Sequence, residues 1–168
     1  MTNDSPSSLD SESITRAIER LSAHQNTFKH FKIVKRFGGR SLEVVLMQDP
    51  KTRERVIRKT YKSSDRRSFK HETRVLMYLS LRGWRYSPSL LHVDSKRLIV
   101  YMSYCGKSPP ETSHYRSKAR ARLKQLQEHH HMSKRHVSLS KLHNFCVKDD
   151  EVYVIDFGNA SRWVLKRK

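Results

Sequence analysis

Long hydrophobic runs are missing from this chain. The longest, Leu98 to Met102, is far too short to cross a bilayer, so no membrane partner is expected. Cysteine is nearly absent: Cys105 and Cys146 are the only two, and no zinc-ligand spacing surrounds them. A pair of reduced thiols inside a cell is the plain reading. The N-terminal stretch Met1-Thr2-Asn3-Asp4-Ser5-Pro6 lacks the positive start and apolar run of a secretory signal. The expectation is an intracellular protein of the cytoplasm or nucleus. Acidic residues are scarce as well: 16 Asp and Glu stand against 35 Lys and Arg, a formal net charge of +19. A field of that sign draws phosphates, whether on nucleotides, nucleic acid or anionic surfaces, and it draws acidic protein partners. It bears on partners and solubility, not on fold. Apolar residues make up 36% of the 168-residue chain and charged residues 30%. That is enough for one domain or two small lobes under a surface crowded with charge.

The residues that are present follow a readable order. Asp10 or Ser11 caps a short helix through about His24, with Ile14, Ile18 and Leu21 as its apolar stripe. Phe31 to Phe37, Leu42 to Met47 and Arg55 to Tyr61 read as three strands, joined by turns at Gly38-Gly39 and Asp49-Pro50-Lys51. Together they predict an antiparallel meander. A polar bend at Ser63-Ser64-Asp65 leads into a helix from Ser68 to Leu79, on which Phe69, Val75, Leu76 and Leu79 keep helical spacing. After Pro88 and the pair Leu90-Leu91 comes a further strand, Leu98 to Met102. Gly106 and Pro109-Pro110 break the chain before a basic helix from Tyr115 to His129, anchored by Leu123 and Leu126. A hairpin across Asp149-Asp150 joins Asn144–Lys148 to Glu151–Ile155 and delivers Asp156-Phe157-Gly158 at its end. A carboxylate at the tip of a buried strand is suited to ligating Mg²⁺, and a glycine lets the backbone turn away beside it.

Strand, glycine turn, two strands, helix, strand, helix, and a hairpin ending in D-F-G: this order resembles the protein kinase-like family, from about Phe31 to Ala160. Val56-Ile57-Arg58-Lys59 resembles the family's V-A-I-K strand, which implies that Lys59 reaches the α/β-phosphates of ATP. Glu72 then matches the acidic partner of that lysine. Leu98 to Gly106 resembles the strand and hinge between the two lobes, with Met102 at the gatekeeper and Ser103, Tyr104 and Cys105 facing the adenine. Asn144 and Asp156 match the pair that holds Mg²⁺. The resemblance implies an α+β fold, with an antiparallel N-terminal lobe sheet plus one helix and a truncated C-terminal lobe of one helix and a β-hairpin. The implied boundaries are 1–27 for a disordered lead-in and short helix, 28–102 for the N-lobe, 103–106 for the hinge and 107–168 for the C-lobe.

The family pattern is incomplete here. Aligning Val45 on the valine that follows the glycine-rich loop leaves Gly38, with Gly39 beside it, and puts Arg40 and Glu43 where the other glycines belong. A glutamate there is expected to repel phosphates. In the catalytic loop, His136 or Ser138 stands where the family has its aspartate, and no aspartate occurs between Asp94 and Asp149. Only ten residues follow Gly158, with no A-P-E motif. The implied protein is a minimal, degenerate pseudokinase that acts as a nucleotide-binding or regulatory module. An active ATP-dependent phosphotransferase, with His136 or Ser138 near the acceptor, is the alternative. A basic nucleic-acid-associated protein is the second alternative. For that last reading, Arg82-Trp84-Arg85-Tyr86 interleaves cations with aromatics and the cations from Arg116 to Lys124 wrap their helix. Packing of Trp84 into the fold competes with it. His129-His130-His131 reads as a solvated helix end rather than a metal site.

Overall fold

The structure is a computed structural model that describes residues 9–37, 42–130, 132 and 142–157. Helix α1, Ser11–Ala23, starts as its sequence requires, with the Asp10 carboxylate accepting the Ser13 N–H at 2.7 Å. Ile14 is buried, and Ala17, Ile18 and Leu21 pack beside it. Strands β1 (Lys32–Phe37), β2 (Leu42–Gln48) and β3 (Arg55–Tyr61) form the expected antiparallel meander. A 3₁₀ turn over Ser63–Asp65 leads into helix α2, Arg66–Leu81.

Strand β4, Leu90–Asp94, appears where the sequence offered only the pair Leu90-Leu91. It pairs with β5, Ile99–Ser103, which in turn pairs with β3. The five-stranded sheet therefore runs β1-β2-β3-β5-β4, antiparallel throughout. Helix α3, Ser113–His130, carries the basic run, with Ala119 and Leu126 buried. Strands β6 (Phe145–Lys148) and β7 (Glu151–Val154) make the predicted hairpin around Asp149 and Asp150. Both aspartates have positive φ, as a tight hairpin turn demands. The chain is thus α+β, and no described helix is long and apolar enough to cross a membrane.

The apolar side chains form two clusters. The larger joins α1, α2, β4, β5, α3 and the hairpin, through residues such as Leu76, Leu79, Val100, Leu126, Phe145 and Phe157. The smaller gathers Phe28, Phe31, Val45, Met47, Val56 and Tyr101, with Phe28 stacked on Tyr101 at 5.2 Å. β1 lies at the sheet edge and buries none of its residues, which leaves Ile33, Val34 and Phe37 open.

The hairpin is fixed to the rest of the fold at two places. Beyond β5, Gly106 has φ +98°, and a Cβ there would sit 1.9 Å from the Val147 carbonyl oxygen. Only glycine permits that approach. The next residue, Lys107, exchanges backbone hydrogen bonds with Val147 at 3.1 and 2.7 Å. On the other side, the Val154 N–H donates to Tyr86 O at 2.8 Å. The Arg122 guanidinium lies 3.2 Å from the centre of the Tyr86 ring and donates to the Glu151 carboxylate at 2.6 Å. These ties set where β7 ends, and so where Asp156 stands.

Candidate functional site

Side chains alternate along β3, so Ile57, Lys59 and Tyr61 share one face of the sheet. Lys59 is opposite Val44 on β2 and Val100 on β5. Helix α2 crosses that face and turns Glu72 inward, where it is only 1% exposed. A buried carboxylate requires partners, and Glu72 has three. Oε1 accepts from Lys59 Nζ at 2.8 Å and from the Phe157 N–H at 3.2 Å, while Oε2 accepts from the Tyr61 hydroxyl. Asp156 completes the cluster, its Oδ1 lying 3.8 Å from Lys59 Nζ. Strand, helix and hairpin end therefore meet at one ammonium.

Burial works against the charge on Lys59, but the Glu72 and Asp156 carboxylates outweigh it and hold its pKa above the ordinary 10.5. The lysine is a fixed cation. Asp156 adopts φ +61°, a left-handed conformation that aspartate tolerates better than most residues. Its side chain is 44% exposed, unlike that of Glu72, and so stays open to solvent. The backbone carbonyl of Asn144 accepts the Ile155 N–H at 2.9 Å, which pairs the chain at Asn144 with the residue before Asp156.

Other predicted site residues fall differently. Val45 pairs with Arg58 and packs with Val56 and Tyr101, on the face opposite Lys59. Its neighbour Val44 is the residue that shares the Lys59 face. Glu43, from which repulsion of phosphates was expected, lies on the Val45 face as well. It pairs with Thr60, faces away from Lys59, and is bound by the guanidinium groups of Arg36 and Arg58, the latter at 2.9 Å. Met102 is buried opposite Ile57 and lies on the Lys59 face. Tyr104 is half-buried, with the Arg55 guanidinium 5.9 Å from its ring centre. Cys105 is buried, and burial pushes its thiol up to about 11. Gly38, Gly39, His136 and Ser138 lie outside the described residues.

Three contributors escaped the sequence reading: Tyr61, Val44 and Cys146. Tyr61 was accessible, since a residue two beyond Lys59 on a strand must share its face. Cys146 feels the Lys59 charge, but burial dominates and lifts its thiol to about 11, so it is a neutral thiol near the cluster. Among the described residues no group of three metal-ligating side chains occurs. Mg²⁺, unlike Zn²⁺, needs no such cage: it is commonly held by one or two oxygen donors together with substrate phosphates. The partly exposed Asp156 carboxylate is one such oxygen donor. No protein-family model matches this chain, and no curated protein matches its sequence.

Proposed function

We propose that this chain is a phosphate-binding module of protein kinase-like design, taking Mg²⁺–ATP in a cleft on the Lys59 face of the sheet. In this reading residues 28–102 are the nucleotide-covering lobe, 103–106 the hinge and 107–168 a reduced second lobe. Lys59 anchors the phosphates, Glu72 aims it, Asp156 and Asn144 hold Mg²⁺, and Val44, Met102, Tyr104 and Cys105 border the base. Mg²⁺ held there neutralises the phosphate oxygens. The observation that carries the reading is the Lys59 ammonium set 2.8 Å from a buried Glu72 and 3.8 Å from a half-exposed Asp156.

The module binds rather than transfers, because phosphoryl transfer to a hydroxyl calls for a positioned base. No aspartate lies between Asp94 and Asp149 to serve as one. Differential scanning fluorimetry tests the cleft. Mg²⁺–ATP is expected to raise the melting temperature of the wild type and to leave Lys59→Ala unchanged. No shift in the wild type removes the reading. A radiolabel assay that finds phosphate transfer in the wild type but not in Asp156→Ala would replace the binding module with an enzyme.

A further inference from the structure

We infer that Tyr61 is a positioning residue for Lys59, acting through Glu72; the inference deepens the reading of the cleft as a phosphate site. Two groups from one strand grip the two oxygens of one carboxylate, Lys59 on Oε1 and Tyr61 on Oε2. A carboxylate held at one oxygen swings about its side-chain torsions; held at both, it has a fixed plane. The Phe157 N–H adds a third donor on Oε1. Glu72 thereby ties β3, α2 and the segment after β7 together.

Tyr61 is itself immobilised. It is 5% exposed, its N–H donates to Leu98 O at 2.9 Å, and its ring meets the Phe69 ring edge-on at 5.7 Å. Because Glu72 is only 1% exposed, loss of the hydroxyl takes from Oε2 the donor it has. The carboxylate then turns to find one, and Lys59 is released from its aim. The cleft is consequently preassembled before any nucleotide arrives.

The test compares wild type, Tyr61→Phe and Phe69→Leu. Phe69→Leu loosens the packing around Tyr61 but keeps its hydroxyl. Acetylation of Lys59 by acetic anhydride is followed by peptide mass spectrometry, with exposed Lys51 as the internal standard. Lys59 in Tyr61→Phe is expected to react about tenfold faster relative to Lys51, a factor that corresponds to one lost hydrogen bond. Phe69→Leu is expected to lower the melting temperature without that change. In parallel, Mg²⁺–ATP affinity is expected to fall about tenfold in Tyr61→Phe, while adenosine, which lacks phosphates, binds as before. Equal Lys59 reactivity in wild type and Tyr61→Phe overturns the inference, as does equal acceleration by Phe69→Leu. Unchanged ATP affinity in Tyr61→Phe, when the wild type binds ATP, overturns it as well. If the wild type binds no nucleotide yet Lys59 protection still depends on Tyr61, the positioning role stands and the phosphate reading falls.

Discussion

Lys59 keeps its charge in a place whose burial opposes it. The two carboxylates that hold its pKa above 10.5 make a signed prediction. A group whose folded pKa exceeds its unfolded one contributes fully below the unfolded value, and its contribution is lost as pH rises through the folded value. Lys59→Met removes that titration and leaves Glu72 with Tyr61 and the Phe157 N–H alone, at a cost of about 3 kcal/mol near neutral pH. In urea unfolding, the stability gap between wild type and Lys59→Met is expected to hold steady at neutral pH and to narrow above pH 10.5. A gap that stays constant through alkaline pH would mean that the pair does not exist in solution. Glu43 gives the opposite lesson at the same scale. Its type alone suggested repulsion of phosphates, but its strand parity turns it toward Arg36 and Arg58.

Elements were more legible than their pairings. Helices α1, α2 and α3, the meander and the hairpin all follow from spacing, caps and turn residues. Strand β4 was hidden because Leu90-Leu91 is followed by His92, and only the sheet explains why an imidazole is buried there. Choosing between Val44 and Val45 required knowing which of them lies opposite Lys59, and spacing across a turn does not fix register. The convergence of Lys59, Glu72 and Asp156 was readable only through a family pattern, since no local signal links a strand, a helix and a hairpin end. Two element-level predictions follow from the clamps on that hairpin. Gly106→Ala drives a Cβ against Val147 O at a positive φ and is expected to destabilise by about 3 kcal/mol, read by urea unfolding. Asp150 is held down to about pKa 2, first by Lys118 and then by His114 and Tyr115, all on α3. A depressed carboxylate stabilises above its ordinary pKa of 3.8 and loses that contribution as pH falls toward 2. Amides of α3 are therefore expected to lose hydrogen-exchange protection over that window, and Asp150→Asn is expected to show no such acid step.

The whole molecule carries +19, yet its basic helix is less open than that number suggests. Arg116, Lys118, Arg122 and Lys124 each reach an acid, namely Glu111, Asp150, Glu151 and Glu128. Lys118 and Arg122 therefore seat the hairpin, while Arg116 and Lys124 pair beside or within α3 and stay open to solvent. Trp84 is half-buried against the main core and Tyr86 lies under Arg122, so the aromatics of that run are spent on packing while Arg82 and Arg85 stay exposed. Binding to a DNA oligonucleotide, followed by fluorescence anisotropy, is expected to be non-specific and to fall steeply with salt. Salt-insensitive binding would contradict that. On the proposed reading the charge that matters is that of Lys59, and an ATP acyl phosphate tests this. Such a probe seats its phosphates, and the neighbouring lysine amine takes the acyl group while the nucleotide leaves. Acylation concentrated on Lys59, blocked by excess Mg²⁺–ATP and absent in Asp156→Asn, is the expected outcome. Acylation scattered over surface lysines, with no protection by ATP, would contradict a phosphate site built from Lys59, Glu72 and Asp156.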